Sequence, residues 1–366
     1  MENNLKNETN GQLLSVKKEG FTIFDSALAC VMFILMTNLF TVVLKATGIS
    51  LVGGTFAYYL IHALSESTFA VSAVLVVYMR KKNLVIDTGM KNKVNGKMAA
   101  WCLLASFVSL LGFGNLTNVF IEILTYCGYS SILGNIELNN FGQYIGMIFS
   151  SCLVAGIAEE LLFRGVIQSG FKKWGIRVSV GVSALIFMLM HGNAEQTVHQ
   201  FIVGVIIGYV FYKTNNLWIG ILIHTFNNFI PITQAYLLTI TTPEVIEAEQ
   251  TAVNLTMGTI LIDLIIALIT AWAGLYFLKL IFKKIFEENE KLNGKQESNE
   301  NLTSIKVDGD ETHVEMSIEG AVVSETQEII VENKPKISKG TIVLFVLSGL
   351  YLVGTWLLYT MLGFKI

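Results

Sequence analysis

Residues 143–165 read QYIGMIFSSCLVAGIAEELLFRG, and the charged residues of this stretch are Glu159, Glu160 and Arg164. A run of about 18 or more mostly apolar residues is long enough to cross a lipid bilayer as an α-helix. An ionisable side chain inside such a helix costs at least about 2–3 kcal/mol unless it is paired or hydrated. The stretch therefore predicts a membrane-spanning helix, and its charged residues are the first candidates for a functional site.

The composition of the whole chain is typical of a membrane protein. Of the 366 residues, 53% are hydrophobic and 14% are charged, and the mean hydropathy is +0.58. Soluble domains carry roughly 25% charged residues, so much of this chain is expected to lie in lipid. The net charge is −3 and there is no basic domain, which argues against a nucleic-acid partner. Cys30, Cys102, Cys127 and Cys152 have no metal-ligand spacing and are interpreted as small buried hydrophobic residues.

Nine apolar runs along the chain are candidates for membrane-spanning helices. They cover residues 22–44, 55–79, 98–119, 143–165, 178–191, 198–213, 217–237, 255–282 and 341–362. The fifth and sixth runs are short for a full crossing and are expected to be tilted, shared or partly re-entrant. The predicted fold is an all-α polytopic membrane protein, a bundle of about eight to nine transmembrane helices.

Polar segments divide the chain around these runs. Residues 1–20 form a polar N-terminal tail, and residues 21–125 contain the first three helices. Residues 287–340 lie between a helix at 255–286 and a C-terminal helix at 341–366, and they are acidic and rich in Asn, Ser and Thr. Such a composition predicts a mostly disordered linker on the cytoplasmic side.

The distribution of lysine and arginine predicts the orientation in the membrane. Basic residues follow the second, fourth, sixth and eighth runs, whereas the loops at 126–142 and 239–254 contain none. Basic loops lie preferentially on the cytoplasmic side of a membrane. The pattern predicts a multi-pass protein of the plasma membrane with a cytoplasmic N-terminus and an extracellular C-terminus.

The three charged residues of the opening stretch separate by helix geometry. Glu160 and Arg164 are four residues apart, so they lie on one face of a helix and can neutralise each other. Glu159 points about 100° away and lacks this partner. An unpaired carboxylate in a low-dielectric setting suits a general base. A structural ionic network between helices explains the three residues equally well.

Two further blocks add polar side chains to apolar runs. FMLMH (187–191) ends with His191, and HTFNN (224–228) places His224 and Asn228 on one helix face. With a carboxylate, these groups could supply the three or four N and O ligands that zinc prefers. Without a metal, they could hold an oxyanion while Glu159 activates water. The sequence has no HEXXH motif, so ordinary zincin chemistry is not predicted.

Other polar or small residues in the apolar runs are weaker candidates. His62 and Glu66 are four residues apart and are interpreted as a hydrated structural pair, with a proton or substrate path as the alternative. His199 is a candidate for a supporting role near the site. Gly204 and Gly208 form a GxxxG motif, which predicts close packing of the sixth run against another helix.

The three blocks, in this order, resemble the CAAX protease and bacteriocin-processing (CPBP, or Abi) family of intramembrane peptidases, which includes the type II CAAX prenyl endopeptidases. The family pattern is EExxxR, then FxxxH, then HxxxN or HxxxD. Residues 159–164, 187–191 and 224–228 carry it here. The resemblance covers about residues 142–238, the predicted protease core.

The resemblance implies a role for each of these side chains. Glu159 would activate the water, while Glu160 with Arg164 would fix the helix and shape the substrate groove. His191, His224 and Asn228 would bind a metal ion or the oxyanion. The implied metal is zinc, and Glu159 would be its fourth ligand. The implied substrate is a membrane-associated protein or peptide in the lipid bilayer.

Hypotheses from two other classes stay open beside an intramembrane endopeptidase. A non-catalytic membrane immunity or scaffold protein could keep the polar cluster for partner binding. A proton-coupled transporter could use the Glu and His residues, but it predicts an inverted repeat, which is not visible in the sequence. The preferred hypothesis is an endopeptidase with CAAX-protease-like activity, in which bacteriocin processing or immunity is one biological role.

Overall fold

The computed structural model describes residues 20–49, 52–131, 138–241, 255–294 and 337–364. Within these ranges the chain is helical and forms no strands, apart from one bridge between Tyr129 and Phe364. The long helices are α1 (Ile23–Ala46), α2 (Phe56–Met79), α3 (Gly96–Tyr126), α4 (Phe141–Gln168), α5 (Ile176–Met190), α6 (Thr197–Thr214), α7 (Leu217–Thr241), α8 (Met257–Asn293) and α9 (Lys339–Gly363). Two short helices, Leu84–Asp87 and Lys172–Trp174, lie in the connections.

Each predicted apolar run coincides with one of the long helices. Six of them in the described ranges, α1 to α4, α8 and α9, are long and apolar enough to cross a membrane. Large apolar side chains on their outer faces are exposed, such as Trp272 on α8 (73%) and Leu350 on α9 (66%), and lipid is their natural neighbour. The all-helical, multi-pass membrane fold is confirmed, while the count of eight to nine crossings stays a prediction.

The membrane-length helices begin at side chains that cap their first turns. The capping residues are Thr22, Thr55, Asn95, Asn140, Thr256 and Ser338, for α1, α2, α3, α4, α8 and α9 respectively. Each side-chain oxygen accepts a backbone N–H of the first turn, which would otherwise lack a partner. Local sequence therefore determines where these helices start.

α8 extends further than the sequence predicted. It continues to Asn293, so residues 287–293, assigned to the linker, are helical, and residues 295–336 lie outside the described residues. Polar contacts hold this end in place, since Asn289 accepts a hydrogen bond from Asn216 at 2.9 Å and Asn293 donates one to the Lys93 carbonyl at 3.0 Å. The polar residues of 287–293, which suggested disorder, include Asn289 and Asn293, and these two form tertiary hydrogen bonds.

α4 lies at the centre of the bundle. Of an apolar 18-residue stretch of α4, 56% is buried, whereas 17–39% of the corresponding stretches is buried in the other membrane-length helices. Every residue of Leu161–Gln168 is buried. One apolar cluster surrounds it on the side of α1, α2 and α5, and a second joins α3, α6, α7 and α8. Cys30, Cys102 and Cys152 are buried as predicted, but the prediction for Cys127 is wrong, because this residue follows the last turn of α3 and is exposed.

The helices α5 and α6 form a hairpin that brings His191 into the interior. α5 has 15 residues and rises about 22 Å, less than the roughly 30 Å of a bilayer core. The chain then turns at His191, and α6 returns along α5, where a β-carbon on Gly204 would lie 3.0 Å from the Ala184 Cα atom. The GxxxG motif therefore packs closely, as predicted, and the short α5 ends at the depth of the site.

Candidate active site

The two adjacent glutamates lie in a short α-helical segment of α4, between two π-helical segments. Ala155–Glu160 is α-helical, whereas Ile148–Val154 before it and Leu161–Gln168 after it are π-helical. π-helical turns are rare in proteins, and those that occur are often found at functional sites. The sequence pattern predicted a regular helix here, so this local geometry is a finding of the structure.

α7 crosses α4 one turn before the glutamates. A β-carbon on Gly156 would lie 2.7 Å from Thr225 Oγ1, so only glycine permits this approach without a shift. Thr225 Oγ1 donates a hydrogen bond to the Cys152 carbonyl at 3.2 Å, and Asn228 Nδ2 donates one to the Ser151 carbonyl at 2.8 Å. Asn228 is thereby fixed to the backbone of α4 and is half-buried.

Glu160 is the centre of a buried ionic network. Its Oε1 atom accepts hydrogen bonds from Arg164 Nη1 at 2.7 Å and from His224 Nδ1 at 2.8 Å. Glu160 and Arg164 are fully buried, and His224 is 4% exposed. The Glu160–Arg164 pair has the geometry that the spacing predicted, and the structure adds His224 to it.

Phe187 joins the three sequence blocks. The Arg164 guanidinium lies over its ring, 4.5 Å from the centroid, which is a favourable cation–π contact. The imidazoles of His191 and His224 meet the same ring edge-on, with centroids 5.0 and 5.8 Å away. Arg164 Nη2 also donates to the Gly204 carbonyl at 3.3 Å, so α6 closes the network from a further side.

Glu159 lies beside this network and is 6% exposed. Its Oε2 atom is 4.0 Å from His224 Nε2 and has no hydrogen-bond partner among the described residues. Its carboxyl group is within hydrogen-bonding reach of Glu66 on α2. The sequence predicted an isolated Glu159 and a Glu66 paired with His62. The 3.8 Å contact between His62 and Glu66 exists, but Glu66 also reaches the site, because α2 packs along α4.

His191 follows the last residue of α5 and is half-buried. Its Nδ1 atom lies 2.8 Å from the Phe187 carbonyl, an acceptor, so Nδ1 carries the proton and Nε2 is left free. The ring is therefore held in one orientation by the residue one turn earlier. The four-residue spacing of Phe187 and His191 in FMLMH permits this contact.

A second imidazole–carboxamide pair lies next to the site. Asn227 Nδ2 and His199 Nε2 are 3.1 Å apart, and Asn227 is 2% exposed with an Oδ1 atom that no described residue bonds. Asn228, four residues after His224, was predicted from the sequence, whereas Asn227 was not. The first asparagine of HTFNN was the available signal, but its partner His199 is on another helix.

The donor groups of the site suit a metal only in part. In the described part of the chain, no three His, Cys, Asp or Glu side chains are grouped so that they could hold one metal ion. His191 and His224 each have Nδ1 bonded to an acceptor and Nε2 free, which is how metal-binding histidines are commonly oriented. The zinc site predicted from the resemblance therefore stays a prediction.

Comparison with known proteins identifies the region that contains this site. No curated protein and no solved structure matches the chain. Among protein families, residues 141–230 match the family described as Rce1-like, type II CAAX prenyl endopeptidase Rce1-like. The matched region begins with α4 and ends within α7, and it contains every residue of the three sequence blocks. This part of the chain, and with it the whole candidate site, therefore matches the Rce1-like domain of the CAAX protease family.

Proposed function

We propose that this chain is an intramembrane endopeptidase in which Glu159 takes a proton from the attacking water. The observation that supports this most is the setting of Glu159, a carboxyl group 6% exposed with one oxygen free of hydrogen bonds. His224 Nε2 lies 4.0 Å from that oxygen. A buried carboxylate with a free acceptor atom, next to an oriented imidazole, has the features that a general base requires.

The neighbouring groups would orient His224 for this reaction. Glu160 Oε1 accepts a hydrogen bond from Arg164 Nη1 and another from His224 Nδ1–H. His224 therefore presents Nε2, an acceptor, toward Glu159. Water bound at these two groups would be held with one lone pair directed at the substrate.

The reaction would proceed by ordinary base-assisted hydrolysis. The water oxygen forms a bond to the carbonyl carbon of the peptide while one of its protons passes to Glu159. The tetrahedral oxyanion would accept the second N–H of Asn228 Nδ2, since only one is used by the Ser151 carbonyl. When the C–N bond breaks, Glu159 returns its proton to the leaving amine, and the products are one carboxylate and one amine.

Zinc is proposed as a ligand of the same site. His191 and His224 would bind it through Nε2, with Asn228 as an oxygen ligand, and Glu159 would remain the base. Bound zinc would activate a water molecule and polarise the peptide carbonyl. The test is the metal content of purified wild type compared with a His191→Ala/His224→Ala double variant. Zinc that is present in the wild type and lost in the variant supports the site, and equal zinc in both contradicts it.

The first test of the function is Glu159→Gln, which keeps the size of the side chain and removes the base. We expect a loss of turnover of about 100-fold or more, because general-base catalysis typically contributes that much. The assay uses proteoliposomes and two quenched fluorogenic peptides, one ending in a farnesylated CAAX sequence and one identical but unprenylated. Glu122→Gln is the matched control, since Glu122 lies on α3 beside Asp263 of α8.

The same assay can reject the proposal in two ways. If wild type cleaves neither peptide, CAAX-type endopeptidase activity is wrong for this chain. If Glu159→Gln cleaves as well as wild type, Glu159 is not the base. A scaffold or immunity role would instead survive Glu159→Gln in a cell-based protection assay, and a transporter would show flux that depends on a pH gradient.

The location of the site supports cleavage close to one membrane surface. Glu159 lies in the second half of α4, nine residues before its last residue, Gln168. The basic loops favour the cytoplasmic side at that end, and we propose the plasma membrane as the compartment. We therefore propose that a membrane-associated protein or peptide is cut in the cytoplasmic leaflet.

A further inference from the structure

The turn that links His191 to α6 is held by a helix from outside the matched Rce1-like region. Residues 192–196 form this turn, and Thr197 is the first residue of α6. Trp356 on α9 donates a hydrogen bond from its indole Nε1 atom to Thr197 Oγ1 at 2.9 Å. The matched region ends at residue 230, so Trp356 lies outside it and belongs to none of the three sequence blocks.

Hydrogen bonds within the turn connect Thr197 to the residues that follow His191. Asn193 Oδ1 accepts the Glu195 N–H at 2.8 Å, and Thr197 Oγ1 donates to the Asn193 carbonyl at 3.1 Å. The Thr197 hydroxyl therefore donates within the turn and accepts from the Trp356 N–H, which are the two kinds of hydrogen bond that a hydroxyl can make. Because the turn is short and bonded in this way, a displacement of Thr197 would also displace His191.

α9 is fixed in the bundle by contacts other than the one with Thr197. Its Leu352 side chain is 4% exposed and lies in the same apolar cluster as Phe187, the residue whose carbonyl holds the His191 ring. At the far end of α9, the Gly363 carbonyl accepts the Ser130 N–H at 2.8 Å. α9 is therefore an anchored support for the turn.

A second contact reaches the same turn from the loop after α3. Tyr129 Oη donates to Glu195 Oε1 at 3.2 Å, and Ser131 Oγ donates to Glu195 Oε2 at 3.0 Å. The Tyr129 ring also meets the ring of Phe364, just after α9, edge-on with centroids 5.3 Å apart. The turn after His191 is thus held between α9 and this loop.

We infer that Trp356 is a positioning residue, which holds Thr197 and through the turn fixes the His191 imidazole at the site. His191 follows the last residue of α5, and the ends of helices open more readily than their middles. Its ring must stay beside the Phe187 ring, which His224 also contacts. The inference rests on the proposed function, because it assigns Trp356 a role in placing a residue of that site.

Conservative substitutions can remove this hydrogen bond from either side. Trp356→Phe keeps an aromatic ring without the N–H donor, and we expect kcat to fall by about 10-fold with KM unchanged, because a misplaced catalytic group lowers the rate by up to about 100-fold. Thr197→Val keeps the shape of the side chain without the hydroxyl, and adding Trp356→Phe to it should cause no further loss. Thr197→Ser keeps the hydroxyl and should stay close to wild type.

The assay uses whichever of the farnesylated and unprenylated peptides wild type cleaves. The matched control is Trp272→Phe, since Trp272 lies on α8 and is 73% exposed. A second readout needs no turnover, because diethyl pyrocarbonate modifies accessible imidazoles and mass spectrometry identifies the modified residue. We expect His191 to be modified several-fold faster in Trp356→Phe than in wild type, and at the wild-type rate in Trp272→Phe.

The two readouts separate failure of the inference from failure of the proposed function. Wild-type kcat and wild-type His191 modification in Trp356→Phe overturn the inference and leave the proposed function intact. Additive losses in the double variant, or a fall in kcat without faster modification, also overturn it. If wild type cleaves neither peptide, the proposed function fails, while faster modification in Trp356→Phe still supports the placing of His191 by Trp356. An unchanged thermal unfolding temperature of Trp356→Phe shows that its loss of kcat is not a loss of folding.

Discussion

Arg164 is fully buried, and among the described residues Glu160 is the carboxylate that pairs with it directly. Glu160 Oε1 is 2.7 Å from its Nη1 atom, and the remaining contacts are the Gly204 carbonyl and the face of Phe187. Removing one member of a buried ion pair leaves an uncompensated charge and typically costs about 3–5 kcal/mol. We therefore expect Arg164→Met to be strongly destabilising. The double variant Glu160→Gln/Arg164→Met should lose less stability than the sum of the single variants, as measured by thermal unfolding in detergent.

At the scale of residues, sequence spacing identified contacts within one helix and missed those between helices. Glu160 and Arg164 are four apart on α4, so their pairing could be derived from helical geometry. The contacts of Glu66 with Glu159 and of Asn227 with His199 were not predicted, because the partners lie on different helices and no spacing rule relates them. His224 was identified as polar, but its bond to Glu160 depends on how α7 crosses α4.

Between helices, contact depends on small residues at crossing points, and α3 and α8 offer a matched test. A β-carbon on Gly112 would lie 2.9 Å from the Gly274 Cα atom, whereas one on Gly114 meets nothing within 4 Å. Gly112→Ala should therefore lower stability by about 1–3 kcal/mol through overpacking. Gly114→Ala, on the same helix, should raise it by about 0.5–1 kcal/mol, because alanine loses less chain entropy than glycine. Thermal unfolding of both variants in one detergent is the measurement, and equal shifts would contradict the close α3–α8 crossing.

Helix positions were predictable at this scale, and their internal geometry was not. Apolar runs and capping residues such as Thr22 and Asn140 are local signals, and they agree with the observed starts within two residues. The π-helical segments Ile148–Val154 and Leu161–Gln168 follow from packing on all sides of α4, which no local pattern encodes. The end of α8 at Asn293 depends in the same way on hydrogen bonds to distant loops.

In the whole molecule, the Rce1-like domain packs against helices that lie outside it. Its α4 is packed against α1 and α2, and its α6 and α7 against α3 and α8. α9 lies outside the domain and reaches the segment after His191, where Trp356 Nε1 donates to Thr197 Oγ1 at 2.9 Å. The flanking helices therefore support the site from several sides, in addition to the carboxyl group that α2 supplies.

The orientation of the molecule in the membrane can be tested with its own cysteines. Cys127 is exposed at the end of α3, while Cys30, Cys102 and Cys152 are buried and are expected not to react. The loop at 126–142 has no lysine or arginine, which favours the extracellular side. A membrane-impermeant maleimide should therefore label wild type in intact cells and leave Cys127→Ser unlabelled. Lys91→Cys in the Cys127→Ser background places the thiol in a basic loop and should react only after permeabilisation. The reverse pattern would place the N-terminus and the basic loops outside and would move the proposed site to the outer leaflet.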